Sequence, residues 1–266
     1  MESELGMPDG SEVAEVMREL AVAAGAEILE IFTAGDPETS WKEDGTPVTV
    51  ADNYADRVIS AGLAKAFPGI PVVSEETPDS HSVRHRLFFI VDPLDGTSGF
   101  RSGKPEFTVN IALVCKGCAI SGVVFAPALK RLFFTDGCGQ LVERRNGHEI
   151  RHGRRAPASG PLRAVASRSR WSRDRLNHFL SDYDIAEVGF ISSSIKFCLL
   201  AVDEADIYPR IGPTMEWDTA AGHAVLLAAG GQVLRLDGHD SLGYGKPAYR
   251  NPDFVALAPG VRLREM

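Results

Sequence analysis

The segment Asp92-Pro-Leu-Asp-Gly-Thr97 constrains this 266-residue chain more than any other stretch. It follows an apolar run, Leu87 to Val91, which predicts a buried strand. Two carboxylates at the end of such a strand would be costly in a core, yet they are the hard oxygen ligands that Mg²⁺ prefers. Gly96 lets the backbone turn tightly and bring N–H groups close to an anion. These residues indicate a metal and phosphate site, with a polar turn after a strand as the alternative.

Three further segments also place carboxylates beside regular elements. Ser74-Glu75-Glu76 follows a short predicted strand, Ile70 to Val73, and Asp52 ends the segment Val48-Thr-Val-Ala-Asp52. The segment Trp217-Asp-Thr-Ala-Ala-Gly222 opens an apolar predicted helix. Because a fold often gathers the ligands of one metal cluster from scattered positions, these segments favour a shared site. The structural alternatives are an N-cap for Asp52 and a favourable helix-dipole interaction for Asp218.

The first part of the chain predicts two helices followed by an antiparallel sheet. Apolar residues recur at helical spacing from Ser11 to Phe32, with Ser11 as the N-cap, and a second helix is predicted from Ala51 to Phe67. Turn residues between them, from Thr33 to Pro47, predict a loop. Short strands are then predicted over residues 107–114, 119–125 and 131–135, with Asn146-Gly147 as a hairpin turn.

A basic and turn-rich stretch, residues 151–161, is the predicted boundary between two halves. We expect residues 1–155 to form an α+β metal-binding half and residues 156–266 an α/β substrate-binding half. In the second half, strands are predicted over residues 162–166, 186–190, 205–208 and 232–236, and helices over residues 172–180, 194–202 and 217–229. Such alternation is typical of an α/β layer.

Bulk properties exclude several classes of protein. The 28 basic and 36 acidic side chains give a net charge of −8, which argues against a protein that coats nucleic acid. Cys115 and Cys118 form a C-x-x-C without a second ligand pair, so ordinary thiols are favoured over a metal or redox site. The N-terminus resembles no signal peptide and no stretch is apolar enough to span a bilayer, so a cytoplasmic location is expected.

The order of a paired-Glu motif, DPxDGT and WDxAAG resembles the inositol monophosphatase superfamily of metal-dependent, lithium-sensitive phosphatases. The likeness runs from about Ala14 to about Phe254. Within the superfamily the chain resembles the bacterial CysQ-type 3′(2′),5′-bisphosphate nucleotidases most. The residues that carry this finer resemblance are Glu106-Phe-Thr-Val-Asn-Ile-Ala-Leu113, Ser193-Ser-Ile-Lys-Phe-Cys-Leu199, Tyr208-Pro-Arg210, Gly212-Pro-Thr214 and Trp217-Asp-Thr-Ala-Ala-Gly-His-Ala224.

The resemblance implies an α/β fold, a layered αβαβα sandwich of the inositol monophosphatase and fructose-1,6-bisphosphatase type. It also implies two or three Mg²⁺ ions in the site. Glu75 and Asp92, with the backbone carbonyl of Leu94, would bind the first ion. Asp92, Asp95 and Asp218 would bind the second, and Glu75 would help to hold a weaker third ion through water. Glu76 is expected to face an outer shell or solvent.

The resemblance also implies roles for residues that touch water and substrate. Thr97, supported by Asp52, would orient and help to deprotonate the attacking water. The N–H groups of Gly96 and Thr97 would cradle the phosphate, with Asp218 also contacting the substrate. The nucleotide would be bound by Ser193, Lys196 and Arg210, for which solvated surface charge is the structural alternative. Ser167 and Arg168 would also lie near the nucleotide.

The expected function is Mg²⁺-dependent hydrolysis of the 3′-phosphate of adenosine 3′,5′-bisphosphate, or of its sulfated form, which belongs to sulfur metabolism. The partner would be a small phosphate ester and not a nucleic-acid polymer, the chain would lack an integral membrane segment, and it would act as a monomer or homodimer. Ser98-Gly99 stands where the nucleotidase branch commonly has Lys-Glu, which leaves an inositol or other polyol monophosphate as the alternative substrate. A binding protein without turnover is an alternative from another class.

Overall fold

Two β-sheets alternate with three layers of helices in the computed structural model, which describes residues 6–35, 39–41, 47–82, 84–168 and 173–264. The helices are α1 (Gly10–Ala34), α2 (Val50–Ala66), α3 (Thr97–Arg101), α4 (Arg173–Leu180), α5 (Ile195–Ala201) and α6 (Ala220–Ala228). The strands are β1 (Thr39–Trp41), β2 (Pro47–Thr49), β3 (Val72–Ser74), β4 (Leu87–Asp95), β5 (Thr108–Cys115), β6 (Cys118–Ala126), β7 (Arg131–Thr135), β8 (Leu141–Arg145), β9 (His148–His152), β10 (Leu162–Ala166), β11 (Ile185–Phe190), β12 (Ile207–Arg210), β13 (Gln232–Arg235) and β14 (Phe254–Leu257). Within these ranges, none of the helices could cross a membrane.

The larger sheet has seven strands in the order β3-β4-β5-β6-β7-β8-β9. All neighbours are antiparallel except β3 and β4, which are parallel, so the predicted antiparallel sheet is confirmed apart from this edge. Both faces of β4 are buried, which explains its continuous apolar run. Phe89 and Val91 pack on the side of α1 and α2, whereas Phe88 and Ile90 pack on the side of α5 and α6.

The smaller sheet has five strands in the order β11-β10-β12-β14-β13 and is mixed. β10 pairs in parallel with β11 and β12, while β14 pairs antiparallel with β12 and β13. The sequence analysis missed β14, since a four-residue apolar run without a period does not identify its own secondary structure. The remaining strands and helices of this half lie within a few residues of their predicted positions.

Three hydrophobic cores fill the spaces between five layers. The first lies between α1, α2 and the larger sheet, the second surrounds α5 and α6 between the two sheets, and the third lies between the smaller sheet and α4. The predicted αβαβα sandwich is therefore confirmed. The boundary predicted near residue 155 stays a prediction, and the middle core contains residues from both halves, among them Phe88 and Phe197.

The capping residues of the first two helices differ from those predicted. The N-cap of α1 is Asp9 instead of Ser11, because the Asp9 carboxylate accepts hydrogen bonds from the backbone N–H groups of Ser11 and Glu12, both at 3.0 Å. The N-cap of α2 is Thr49, and Asp52 occupies the third helical position of a capping box. Asp52 is thus not the N-cap, although it does help to start the helix.

The predicted loop from Thr33 to Pro47 was wrong at both ends. Thr33 still belongs to α1, and its hydroxyl donates to the carbonyl groups of Leu29 and Glu30. The short strands β1 and β2 form an antiparallel ribbon, and residues 36–38 and 42–46 lie outside the described residues. The hairpin turn at Asn146-Gly147 is confirmed, since both residues have positive φ, 49° and 84°.

Candidate active site

The parallel pairing of β3 and β4 places Glu75 beside Asp92. Ser74 is paired with Val91, and the N–H of Glu75 donates to the carbonyl of Val91 at 3.1 Å. Glu75 follows Ser74 and Asp92 follows Val91, so these two residues lie side by side. In this way two carboxylates from separate segments meet at the carboxyl end of the sheet's parallel edge.

β4 does not end at Val91 as predicted but continues through both aspartates of the Asp92-to-Thr97 segment. Asp92 pairs with Asn110 and Asp95 pairs with Thr108, and an irregularity in the register accommodates the residues between them. Gly96 then turns the chain with φ of 93°, and α3 follows. Only glycine adopts this conformation without strain, so the tight turn predicted at Gly96 is confirmed.

Asp218 lies in the turn before α6 and not inside the helix, so the prediction that Trp217 opens the helix was wrong. Its Oδ2 accepts a hydrogen bond from the N–H of Met215 at 2.9 Å, which closes the turn. α6 begins only at Ala220. The helix packs against β5 and β6, and this packing carries Asp218 to the carboxylates of the first half.

Glu75, Asp92 and Asp218 form a group of acidic side chains whose carboxylate oxygens lie within 4.8 Å of one another. Burial, followed by repulsion from Glu75 and Asp95, raises the pKa of Asp92 well above its usual range. Burial, with repulsion from Asp95 and Glu75, also raises the pKa of Asp218. Hard oxygen donors that repel one another at this distance fit a divalent cation such as Mg²⁺ or Ca²⁺.

Asp95 connects this acidic group to the second half of the chain. Its Oδ2 accepts a hydrogen bond from the backbone N–H of Ser194 at 2.6 Å. Burial raises the pKa of Asp95, while the positive charge of Lys196 and the Ser194 N–H act in the opposite direction. The carboxylate therefore faces both the acidic group and the start of α5.

Thr97 and Asp52 lie together, as the sequence analysis predicts. The Thr97 hydroxyl is 3.3 Å from Oδ1 of Asp52 and 3.0 Å from the carbonyl oxygen of Leu94. The other carboxylate oxygen of Asp52 accepts hydrogen bonds from the hydroxyl of Thr49 at 2.6 Å and its N–H at 2.7 Å. Burial raises the pKa of Asp52, whereas these two bonds from Thr49 oppose that shift. Asp52 thus belongs to the capping box of α2 and also accepts a hydrogen bond from Thr97.

A polar cavity of about 400 Å³ opens beside the carboxylates. Its walls come from the Asp92-to-Thr97 segment and α3 on one side and from α5, β12 and the turn before α6 on the other. The lining residues are Asp95, Gly96, Ser98, Gly99, Ser102, Lys104, Ser167, Arg168, Ser192, Ser193, Lys196, Tyr208, Arg210, Thr214, Asp218 and Thr219. Five of the six residues predicted to bind the substrate are among them, namely Gly96, Ser193, Lys196, Arg210 and Asp218, whereas Thr97 is not.

Four cationic side chains line this cavity, and two of them, Lys196 and Arg210, lie on the side of α5 and β12. The Lys196 side chain is buried, donates to the carbonyl groups of Ile191 and Ser193, and lies 5.0 Å from the ring centre of Tyr208. Burial lowers the pKa of Lys196 to about 7. Arg210 donates from Nη2 to the carbonyl of Pro213 at 2.7 Å, while its Nε is buried and has no partner among the described residues. Such buried donors favour an anionic ligand over the solvated surface charge given as the alternative.

Ser193 lies just before α5, not within it, and its φ of 59° turns the chain into the helix. The sequence analysis missed Lys104, Ser192, Tyr208 and Thr214 as lining residues. Tyr208 and Thr214 belong to motifs that carry the resemblance, and Lys104 lies a few residues from Thr97 in the same turn-rich stretch, so each of these three had a signal. The N–H of Lys104 donates to the carbonyl of Gly99, so Lys104 lies on the wall where Ser98-Gly99 removes a charged pair.

The C-x-x-C motif flanks a hairpin turn, where Cys115 is paired with Cys118, and the four cysteines are free thiols. Among the described residues, neither cysteine belongs to a group that could hold a metal. This favours the prediction of ordinary thiols.

A comparison with known families decides the relationship. Residues 9–263 match the inositol monophosphatase family. The chain belongs to this family. The match spans nearly the whole chain, so the resemblance predicted from the three acidic motifs is confirmed.

Individual relatives agree with this assignment. The 3′(2′),5′-bisphosphate nucleotidase CysQ of Salmonella typhimurium is 40% identical over 259 residues, which cover 94% of this chain and 98% of the relative. A crystal structure of CysQ from Bacteroides thetaiotaomicron has a TM-score of 0.80 at 33% identity and covers 95% of this chain and 98% of its own. The extragenic suppressor protein suhB from Bartonella henselae has a TM-score of 0.72 at 25% identity, with coverage of 94% and 95%.

Proposed function

We propose that this phosphatase depends on Mg²⁺ and removes the 3′-phosphate of adenosine 3′,5′-bisphosphate, or of its sulfated form, to leave the 5′-phosphate on the product. The observation that carries the proposal is that Asp218 of the acidic group lines the same cavity as two cations, the buried Lys196 and the half-buried Arg210. A substrate with two phosphates could place one phosphate at the acidic group and the other at Lys196 and Arg210. The names of the CysQ relatives point to the same class of substrate.

Glu75, Asp92, Asp95 and Asp218, with the carbonyl of Leu94, would hold the metal ions. Bound Mg²⁺ shields the phosphate oxygens, makes water a better nucleophile and stabilises the leaving oxygen. Without a bound cation, Asp92 and Asp218 stay protonated to a higher pH than ordinary aspartates, because burial and mutual repulsion raise their pKa values. Cations would relieve this repulsion, which is why the acidic group supports a metal-dependent reaction.

Thr97 and Asp52 are proposed to position the attacking water. A hydroxyl has one hydrogen to donate, and Thr97 can direct it to Leu94 or to Asp52. When the ionised Asp52 takes this hydrogen bond, the oxygen of Thr97 accepts one from water and fixes its orientation. Thr49 supports the ionised form of Asp52 through two hydrogen bonds to the other carboxylate oxygen.

The phosphate that is cleaved is proposed to rest on the N–H groups of Gly96 and Thr97, at the start of α3. The first N–H groups of a helix have no partner within it and can bind oxygen atoms. The second phosphate would then reach Lys196 and Arg210, and Ser193 would donate its hydroxyl. Binding an anion there favours the charged form of Lys196, whose pKa burial lowers to about 7.

A polyol monophosphate such as inositol 1-phosphate is the alternative substrate, and Ser98-Gly99 is the observation that favours it. The two small residues leave this wall of the cavity without the charged pair of the nucleotidase branch. Lys104 lines the same wall, however, so a cation is still available there. We therefore retain the nucleotide as the proposed substrate, acting in the cytoplasm.

The test compares phosphate release from adenosine 3′,5′-bisphosphate and inositol 1-phosphate, each with Mg²⁺, as kcat/KM. We expect a preference for the nucleotide of about 100-fold or more, since hydrogen bonds to a charged group such as the second phosphate contribute about 1.5–3 kcal/mol each. Preference for the inositol ester would establish the alternative. Tight nucleotide binding without phosphate release would mean that the chain binds its ligand without turning it over.

The variant Lys196→Ala separates the two substrates further. Its KM for the bisphosphate should rise much more than its KM for inositol 1-phosphate, because only the first substrate has a second phosphate. Equal effects on both substrates would contradict the assignment of Lys196 to the second phosphate.

A further inference from the structure

The turn that carries Glu75 is a closed unit, and we call residues 74–82 the Glu75 turn. After β3 the chain passes through Glu75 and Glu76 into a short 3₁₀ helix, Pro78–Ser82. The Ser80 hydroxyl donates to the carbonyl of Thr77 at 2.6 Å and accepts from the N–H of Ser74 at 3.2 Å. These bonds link Ser80 to both the start and the middle of the turn.

Asp56 of α2 anchors one side of the Glu75 turn. Its Oδ1 accepts a hydrogen bond from the Ser74 hydroxyl at 2.5 Å, and its Oδ2 accepts one from the Thr77 hydroxyl at 3.3 Å. Asp56 lies one helical turn after Asp52, on the same face of α2. The helix that presents Asp52 to Thr97 therefore also fixes the segment that presents Glu75.

His81 anchors the other side of the turn and reaches the second half of the chain. Its Nε2 lies 2.7 Å from the carbonyl oxygen of Ser74, and because a carbonyl only accepts, Nε2 is the donor. The imidazole ring is stacked on the indole of Trp217, with ring centres 4.8 Å apart and planes inclined by 27°. Trp217 is buried and directly precedes Asp218.

We propose that His81 is a positioning residue that aligns the Glu75 turn with the turn that carries Asp218, and so sets the affinity of the acidic group for Mg²⁺. His81 fixes the peptide that leads into Glu75 through the carbonyl of Ser74. It fixes the residue before Asp218 through the stack on Trp217. This inference deepens the proposed function, since it concerns the same metal site.

The physical reason is that the two carboxylates come from different halves and repel each other. One carboxylate oxygen of Glu75 and one of Asp218 lie within 4.8 Å of each other, so without a cation the repulsion between these charges favours moving the two segments apart. An outer partner that holds both segments keeps the oxygens close enough for one ion. Loss of such a partner usually weakens metal binding by about 10- to 100-fold.

The test measures Mg²⁺ binding to the substrate-free protein by isothermal titration calorimetry. His81→Ala removes the hydrogen bond to Ser74 and the stack on Trp217, together with a tilted ring contact to Tyr249 at 5.9 Å. His81→Gln keeps a donor without the ring, and His81→Phe keeps a ring without the donor. His85→Ala is the matched control, since His85 is half-buried in the following segment and contacts Phe88 instead of the site. Thermal unfolding in EDTA, which removes Mg²⁺, reports on folding separately.

We expect His81→Ala to raise the Kd for Mg²⁺ about 10-fold. His81→Gln and His81→Phe should lie between this value and the wild-type Kd, and His85→Ala should match the wild type. At saturating Mg²⁺ the kcat of His81→Ala should recover, because a positioning residue takes no part in the chemistry.

Unchanged Mg²⁺ affinity in His81→Ala, or a lower melting temperature in EDTA with no change in affinity, would overturn the inference. If His81→Ala does not fold, the Gln and Phe variants decide in the same way. A wild-type protein that binds Mg²⁺ but releases no phosphate from either ester would contradict the proposed function alone. The role of His81 would then still be read from the Mg²⁺ affinities.

Discussion

At the scale of single residues, the site concentrates negative charge where no other feature of the protein requires it. Asp92 is almost fully buried, and the charges of four carboxylates add to the effect of burial in raising its pKa, those of Glu75, Asp95, Asp218 and Asp52. Selection for stability alone would disfavour such a group, since an uncompensated buried charge destabilises a protein by about 3–5 kcal/mol. The cation proposed for this site would explain the charge.

Asp92→Asn tests this directly. The amide has the same shape but no charge, so we expect it to abolish nearly all turnover. It should also weaken Mg²⁺ binding more than His81→Ala does, for which a loss of about 10-fold is expected. Repulsion falls at the same time, so the variant should unfold in EDTA at the same temperature as the wild type or above it. Calorimetry, phosphate release and thermal unfolding check these three points.

Asp79→Asn serves as the control for Asp92→Asn, since Asp79 is exposed on the Glu75 turn. It should retain turnover and Mg²⁺ affinity. Near-normal activity of Asp92→Asn at saturating Mg²⁺ would contradict the metal assignment.

Thr97 offers a second test at this scale. Thr97→Val keeps the shape and removes the hydroxyl that lies near Asp52, so kcat should fall by about 10²- to 10⁴-fold while the Kd for Mg²⁺ stays the same. Thr97→Ser keeps the hydroxyl and should recover most of the rate. Single-turnover phosphate release measures the effect, and equal rates for Thr97→Val and Thr97→Ser would exclude a role for the hydroxyl.

At the scale of elements, a buried hydrogen-bond network joins β5 to the start of α5. The Ser194 hydroxyl donates to the side-chain carbonyl of Asn110 at 2.6 Å and lies 2.9 Å from the hydroxyl of Thr108. The backbone N–H of Ser194 binds Asp95. The same contact therefore holds the start of α5 against β5 and places Ser193 and Lys196 at the cavity.

Ser194→Ala should destabilise the protein by about 1–3 kcal/mol, because it leaves the buried oxygen of Asn110 without its donor. Unfolding in urea measures the change in the free energy of unfolding. Ser181→Ala is the control, since the Ser181 hydroxyl donates to the carbonyl of His178 at an exposed position and should contribute less than about 0.5 kcal/mol. A loss no larger in Ser194→Ala than in Ser181→Ala would mean that the network does not hold α5 against β5.

Elements with a strong period were predicted well, and their ends were not. The period of 3.6 residues identified α1, but the N-cap depends on which side chain reaches the free N–H groups, and Asp9 does so before Ser11. The apolar run identified β4, yet pairing with β5 extends the strand through Asp92 and Asp95. Such ends are decided by contacts with distant residues, which a local pattern does not contain.

At the scale of the whole molecule, the sequence predicted that four acidic segments, those of Asp52, Glu75, Asp92 and Asp218, would form one site. Their residues do lie around one cavity or next to it. Lys104 and Thr214 were missed as lining residues because each comes from an irregular segment whose position depends on the packing of both halves. The Glu75 turn was missed for the same reason. Its contacts with Asp56 and Trp217 join residues far apart in the chain.

The last prediction concerns how Mg²⁺ changes the stability of the whole protein with pH. Burial and repulsion raise the pKa values of Asp92, Asp95 and Asp218 in the folded protein. Without metal, the folded state therefore binds more protons than the unfolded state. The favourable contribution of the protonated carboxylates is complete below the ordinary aspartate pKa, about 4, and is lost as the pH rises through the raised values.

Mg²⁺ should offset this loss, since it takes the place of the protons in the acidic group. The increase in melting temperature on adding Mg²⁺ should therefore grow from about pH 5.5 to about pH 8.5, as fewer protons compete for the carboxylates. Comparing samples with Mg²⁺ and with EDTA at each pH cancels the titration of groups outside the site. Asp92→Asn should show a smaller increase at every pH. An increase that is constant or falls with pH would mean that the raised pKa values and the metal site are not the same feature.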